Sequence, residues 1–148
     1  MDNGVDPGKV ATIAFYSQMA GIGIVDEDSK PATRFDSWLD MGCQPYIEYV
    51  DKNHGDLVTR LTGCPPTCDH GPKILRWKEE KPESYKRIVK FGTPADYVAG
   101  RMVGLKGKNA FMDYIHSFFM IRRCAEGRWS DELCELIGVD NEKLSPLV

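Results

Sequence analysis

The first apolar run, residues 10–16, reads Val-Ala-Thr-Ile-Ala-Phe-Tyr. It is short, β-branched and aromatic, which predicts a strand buried on both faces of an α/β sheet. Ile22-Gly23-Ile24-Val25 is a second strand-like run. The polar stretch from Asp26 to Pro31 reads as a turn, and residues 32–38 as an antiparallel return. From Gln44 onward the apolar spacing becomes helical. Pro45 suits a first helical position ahead of Tyr46, Ile47, Tyr49 and Val50. His54-Gly55 reads as an interruption. Asp56 then caps a short helix carrying Leu57, Val58 and Leu61, which Gly63 ends. Pro72 opens a helix with Ile74, Leu75 and Trp77. Pro82 stops that helix and starts a shorter one over residues 83–87. Residues 88–91 fit a short strand. Thr93-Pro94-Ala95-Asp96 combines a Thr cap, a proline and an acid at the third helical position. The helix it starts carries Tyr97, Val98, Met102 and Val103 and ends near Gly104. Residues 109–120 are apolar and ambiguous between helix and strand. Ser130-Asp131-Glu132 caps a last helix with Leu133, Leu136 and Ile137 on one face and Gly138 after it. The fold class expected is α/β, with strands early and helices dominating the second half.

Composition narrows the function classes. A chain of 148 residues fits one domain, and 42% hydrophobic with 28% charged residues is ordinary for a globular protein. No apolar run approaches the roughly 20 residues of a membrane span. The first seven residues, Met-Asp-Asn-Gly-Val-Asp-Pro, are neither basic nor apolar enough for a signal peptide, so a cytoplasmic location is expected. With 19 Lys+Arg against 22 Asp+Glu, neither nucleic acid nor an anionic membrane is an expected partner. Five cysteines, an odd number, read as reduced thiols. Cys64, Cys68 and His70 offer three corners of a zinc tetrahedron. No second Cys/His pair follows at a finger-like spacing, and Pro65-Pro66 stiffens the loop. The plainer reading is a turn after a helix, with no metal.

No complete catalytic constellation is present. The chain has no phosphate-loop lysine motif, no G-x-G-x-x-G, no H-E-x-x-H and no G-x-S-x-G. Three places can hold a ligand. Gln18-Met19-Ala20-Gly21 follows the first expected strand, where ligands of α/β sheets gather. Gln18 both donates and accepts hydrogen bonds, which suits a polyol, and Gly21 permits close backbone approach. Trp38 offers a face for the apolar side of a sugar, and Asp40 accepts from hydroxyls. The loop of residues 64–73 precedes a helix N-terminus that suits a polar or anionic group. The plain alternatives are a strand exit, a core Trp beside a capping Asp, and a helix connector. His54 and His116 read as loop and packing residues, and Lys78-Glu79-Glu80-Lys81 as a solvated helix face.

Taken in order, these segments resemble the FGGY family of carbohydrate kinases, xylulokinase-like members above all, over nearly the whole chain. Residues 10–21 resemble the strand ending in the family's Gln-Met-x-Gly segment. Ser37-Trp38-Leu39-Asp40 resembles its Trp-x-Asp motif. Thr62-Gly63-Cys64-Pro65 with Gly71-Pro72-Lys73-Ile74-Leu75-Arg76-Trp77 resembles the loop and helix that follow. Pro94-Ala95-Asp96-Tyr97 matches the Pro-x-Asp-Tyr helix, and Trp129-Ser130-Asp131-Glu132-Leu133 the segment after it. The resemblance implies a partial ribonuclease-H-like domain of the actin, Hsp70 and sugar-kinase class, with a mixed sheet. It implies a reaction that passes the γ-phosphoryl group of ATP, with Mg²⁺, to a hydroxyl of a pentulose, D-xylulose, by positioning and charge stabilisation.

The chain departs from the family's pattern in places. No Asp-x-Gly-Thr phosphate turn occurs, and the chain is expected to start part-way through the N-terminal, sugar-binding domain. The C-terminal domain with its catalytic Asp has no counterpart here. Ala20 stands where many members carry a sugar-holding His, Met41-Gly42 where many carry Arg, and Tyr114-Ile115-His116 replaces a small polar run. The expected substrate contacts are Gln18, Met19 and Ala20, then Trp38 and Asp40, then Cys68 and His70, with no catalytic and no metal-binding residue. The isolated chain is expected to be inactive and to hold ATP and Mg²⁺ weakly. The alternatives are a residual sugar-binding module without catalysis and a truncated product with no function of its own. An unpaired sheet edge would favour self-association.

Overall fold

The helix starts after Asp69, Thr93 and Ser130 follow local capping chemistry. In the computed structural model, which describes residues 4–117 and 121–148, five α-helices form. They are α1 (Gln44–Thr62), α2 (His70–Glu80), α3 (Pro82–Arg87), α4 (Pro94–Met102) and α5 (Asp131–Ile137). The Thr93 hydroxyl accepts from the Asp96 backbone N–H, and the Asp96 carboxylate returns to the Thr93 N–H, a reciprocal capping box. Ser130 caps α5 by accepting from the Leu133 N–H at 3.2 Å. Gly63 and Gly138 end α1 and α5 at φ of 78° and 75°, the left-handed region where a side chain is strained.

Two short antiparallel ladders join the helices. Strand β1 (Gly23–Val25) pairs with β2 (Lys90–Gly92) in the register Gly23↔Gly92 and Val25↔Lys90. Strand β3 (Arg122–Arg123) pairs with β4 (Arg128–Trp129). Isolated bridges extend the pattern: Ile22↔Asp36 and Val25↔Pro31 are antiparallel, Phe91↔Leu144 and Met112↔Leu147 parallel. The hydrogen bonding is therefore mixed in direction. The core gathers Ile22, Val50 and Val58 of α1, Ile74 and Trp77 of α2, Phe91 of β2, and Leu133 and Ile137 of α5. No helix among the described residues is long and apolar enough to cross a membrane.

Four expectations change. Residues 10–16 form no strand, and Ile13 and Phe15 are 54% and 40% exposed. A strand exists by its ladder, and no described strand runs beside this one. Residues 32–38 return antiparallel through one isolated bridge, Ile22↔Asp36, with Val25↔Pro31 just ahead of them, instead of a continuous strand. His54-Gly55 does not interrupt α1, because Val50 and Val58 on either side both anchor the same face in the core. That burial outweighs the roughly 1 kcal/mol a mid-helix Gly costs. Helix α2 begins at His70, two residues before Pro72, because the Asp69 carboxylate caps it by accepting from the Gly71 N–H. The ambiguous run 109–120 starts as a strand-like segment: Met112 donates to Pro146 O at 2.9 Å and Val148 donates back to Met112 O at 3.0 Å. It continues as a turn over residues 114–117, and its end lies outside the described residues.

Candidate functional site

The buried face of α2 organises the two polar segments that the sequence marks. Trp77 Nε1 donates to the Asp36 carboxylate at 2.6 Å, and Asp36 itself bridges Ile22 through the backbone. This pins the strand end at Ile22 and the start of the Ser37–Asp40 loop to one helix. One turn earlier on that face, Lys73 is fully buried. Its ammonium donates to the Ala20 carbonyl at 2.8 Å and to the Ser37 carbonyl at 2.7 Å. A buried ammonium without partners is costly, so these two carbonyls fix where the charge can sit. In return the charge fixes the two loops. Ala20 has φ of 56°, a left-handed conformation that disfavours a side chain, at the residue whose carbonyl Lys73 holds. Beside it, a Cβ on Gly21 would lie 2.3 Å from the Phe35 ring, so only glycine lets that ring cover the segment.

Asp40 stands at the end of the second loop. Its carboxylate accepts from the Gly42 N–H at 2.8 Å and from the Arg76 guanidinium at 3.2 Å. The Gly42 N–H, and after it Arg76, hold the carboxyl below its ordinary range against partial burial. Asp40 is therefore ionised at neutral pH and partly open to solvent. Trp38 and Met19 are 53% and 51% exposed, leaving apolar surface on both loops. Gln18 is half-buried and makes no hydrogen bond to another described residue.

Cys68 and His70 hold different positions. The Cys68 thiol donates to the Asp40 carbonyl at 3.2 Å, beneath the loop. His70 is 1% exposed. Burial pushes its pKa down to about 4, with the Gly21 carbonyl opposing and Lys73 adding to the fall. His70 is thus a neutral support behind Gly21. The first turn of α2 offers no anion cradle: Asp69 occupies the cap, and His70, Gly71, Pro72 and Lys73 are buried.

The structure therefore brings Ala20, the Ser37–Asp40 loop, Cys68 and His70 around Lys73. Sequence reasoning missed Lys73, Asp36, Arg76 and Cys43. The signal for Lys73 was present: a charge four residues before Trp77, directly before Ile74 and Leu75, on the apolar side of a helix. Among the described residues, no group of three or more His, Cys, Asp or Glu side chains is placed to hold a metal ion.

The core is α/β, gathers polar loops over one helix, and combines mixed pairing with a helix-rich second half. The chain belongs to the FGGY family of carbohydrate kinases, whose N-terminal domain matches residues 1–148. The xylulose kinase of Bacillus subtilis is 27% identical over 143 residues, 92% of this chain and 27% of that protein. The glycerol kinase of Thermococcus gammatolerans is 25% identical over 144 residues, 91% of this chain and 28% of that one. The crystal structure of ligand-bound xylulose kinase from Lactobacillus acidophilus aligns with a TM-score of 0.82 at 23% identity, covering 98% of this chain and 29% of that chain. This chain thus spans a little over a quarter of the curated relatives it matches. Kinases of this family use ATP and Mg²⁺.

Proposed function

We propose that these 148 residues are the sugar-binding part of an FGGY kinase that transfers the γ-phosphoryl group of ATP to a hydroxyl of a pentulose, D-xylulose. The observation that carries the reading is the Lys73 ammonium, which joins the Ala20 and Ser37 carbonyls and so sets two polar loops side by side. Met19 and Trp38 give apolar faces to carbons of the sugar, and Gln18 and Asp40 pair with its hydroxyls. The Ala20 backbone lines the same segment, with Cys68 and His70 as the supports beneath. None of these residues acts as acid, base or nucleophile. The chain alone binds sugar weakly and transfers no phosphoryl group. Its exposed apolar segment of residues 10–19 favours self-association at high concentration.

The test is a titration of D-xylulose and, separately, glycerol, followed by amide NMR on the chain and on Trp38→Ala. Shifts with D-xylulose at Gln18, Ala20 and Asp40, lost in Trp38→Ala, support the reading. Silence with D-xylulose, or shifts with glycerol alone, overturns the pentulose assignment. ATP-dependent phosphorylation of D-xylulose by the purified chain overturns the expected inactivity.

A further inference from the structure

Cys43 and Cys68 meet directly beneath the Ser37–Asp40 loop. Cys43 ends the 3-10 turn Met41–Cys43 and is fully buried. Cys68 lies in the loop ahead of α2 and is half-buried. The two sulfurs are 3.3 Å apart across a sequence separation of 25. The Asp40 carbonyl oxygen lies 3.2 Å from the Cys68 sulfur and 4.0 Å from the Cys43 sulfur, and either thiol can donate between the two sulfurs.

Access distinguishes the two thiols. Burial first, and the adjoining Cys68 next, push the Cys43 thiol up to about 12. Cys43 therefore stays protonated and shielded, and Cys68 is the sulfur that a small oxidant meets. Cys124 instead donates to the Thr62 carbonyl at 2.8 Å, and Cys134 is buried in α5.

We propose that Cys43 and Cys68 are a redox-modification site that a hydroperoxide closes into a reversible disulfide. In the first step the Cys68 sulfur attacks the outer peroxide oxygen. The O–O bond breaks, the hydroxyl joins Cys68 to give a sulfenic acid, and the Cys68 thiol proton goes to the departing oxygen, which leaves as an alcohol, or as water from hydrogen peroxide. In the second step the Cys43 sulfur displaces the sulfenic hydroxyl. The S–S bond forms, the S–O bond breaks, and the Cys43 proton leaves with the hydroxyl as water. The pair is oxidised by two electrons and the peroxide is reduced by two. The sulfurs must close to about 2.05 Å. The ends that move are a 3-10 turn and a loop, both softer than a helix interior.

Closure has a consequence at the Trp38–Asp40 loop. It removes the thiol hydrogen that the Asp40 carbonyl accepts and ties that loop's end to the segment before α2. Resting on the reading of Trp38 and Asp40 as sugar contacts, oxidation then weakens D-xylulose binding severalfold.

The experiment treats the natively folded chain with hydrogen peroxide, blocks remaining thiols, digests it without reduction and maps linkages by mass spectrometry. The expected result is a Cys43–Cys68 linkage that a dithiol reductant reverses, that survives in Cys64→Ser and that vanishes in Cys68→Ser. Finding Cys64–Cys68 instead, or Cys68 advancing to sulfinic acid without a linkage to Cys43, overturns the proposal. Mapping needs no sugar, so it stands apart from the sugar-site reading. A confirmed linkage with unchanged sugar shifts overturns only the coupling to Trp38 and Asp40.

Discussion

Lys73 and Ala20 lie 53 positions apart, and the Lys73 ammonium donates to the Ala20 carbonyl at 2.8 Å from a fully buried position. The same nitrogen reaches Ser37, so one side chain sets the spacing of the two candidate sugar loops. Lys73→Met keeps the stem's volume and strands two carbonyls. An unpaired buried acceptor costs about 1–3 kcal/mol, and the variant is expected to lose about 3 kcal/mol in total. Urea unfolding of both proteins measures it. A loss below about 0.5 kcal/mol would show that the bridge holds nothing in place.

His70 ties stability to pH. Its pKa falls from 6.5 in the unfolded chain to about 4 in the fold, because burial disfavours the charged ring. Above 6.5 both states are neutral and the group is silent. As pH falls from 6.5 toward 4, the unfolded chain takes the proton first, so stability declines across that window and levels off below it. The total is up to about 3 kcal/mol. Asp40, whose carboxyl sits below its ordinary 3.8, titrates further down and leaves the window clear. The urea midpoint of the wild type is expected to drop between pH 7 and pH 4.5, and that of His70→Asn to drop much less. Equal slopes would remove His70 as the cause.

Asp96 is a heavily used carboxylate among the described residues. It is buried, accepts from the Thr93 hydroxyl at 2.6 Å and the Thr93 N–H at 3.2 Å, and also takes the Asp113 N–H at 3.0 Å. It therefore caps α4 and secures the strand-like segment at Met112. Asp96→Ala is expected to cost about 3 kcal/mol, more than the ~1 kcal/mol of a cap alone. Thermal unfolding distinguishes the two figures.

Two glycines near one another in sequence should respond differently. A Cβ on Gly107 would sit 1.9 Å from the Asp26 carbonyl oxygen, a backbone atom that cannot swing away. Gly107→Ala is expected to cost about 3 kcal/mol by forcing the 26–27 turn and the 107–109 turn apart. At Gly104, with φ of 73° and open space around it, Ala brings only the left-handed penalty of about 1–2 kcal/mol. Reversal of that order in thermal melts would contradict the close approach at Gly107.

What was legible in the chain was local. Thr93, Ser130, Gly63 and Gly138 announced helix ends because capping needs only a few neighbouring residues. The run at residues 10–16 was misleading for the opposite reason. Its β-branched and aromatic residues state a preference for a sheet, but only a partner strand can satisfy it. His54-Gly55 misled similarly, since the core contacts of Val50 and Val58 that override a glycine lie on other elements.

By itself the sequence determined the helix ends at Gly63, Thr93, Ser130 and Gly138, the strand-like Ile22–Val25 segment and the family motifs around Gln18, Trp38 and Asp96, each readable from neighbours a few positions away. Only tertiary structure decided that Lys73 braces Ala20 against Ser37, that Trp77 binds Asp36, that His70 is buried and neutral, and that Cys43 meets Cys68. The physical reason is separation. A buried ammonium or a thiol finds its partner 25 to 53 positions away, where packing, and not local propensity, selects the neighbour.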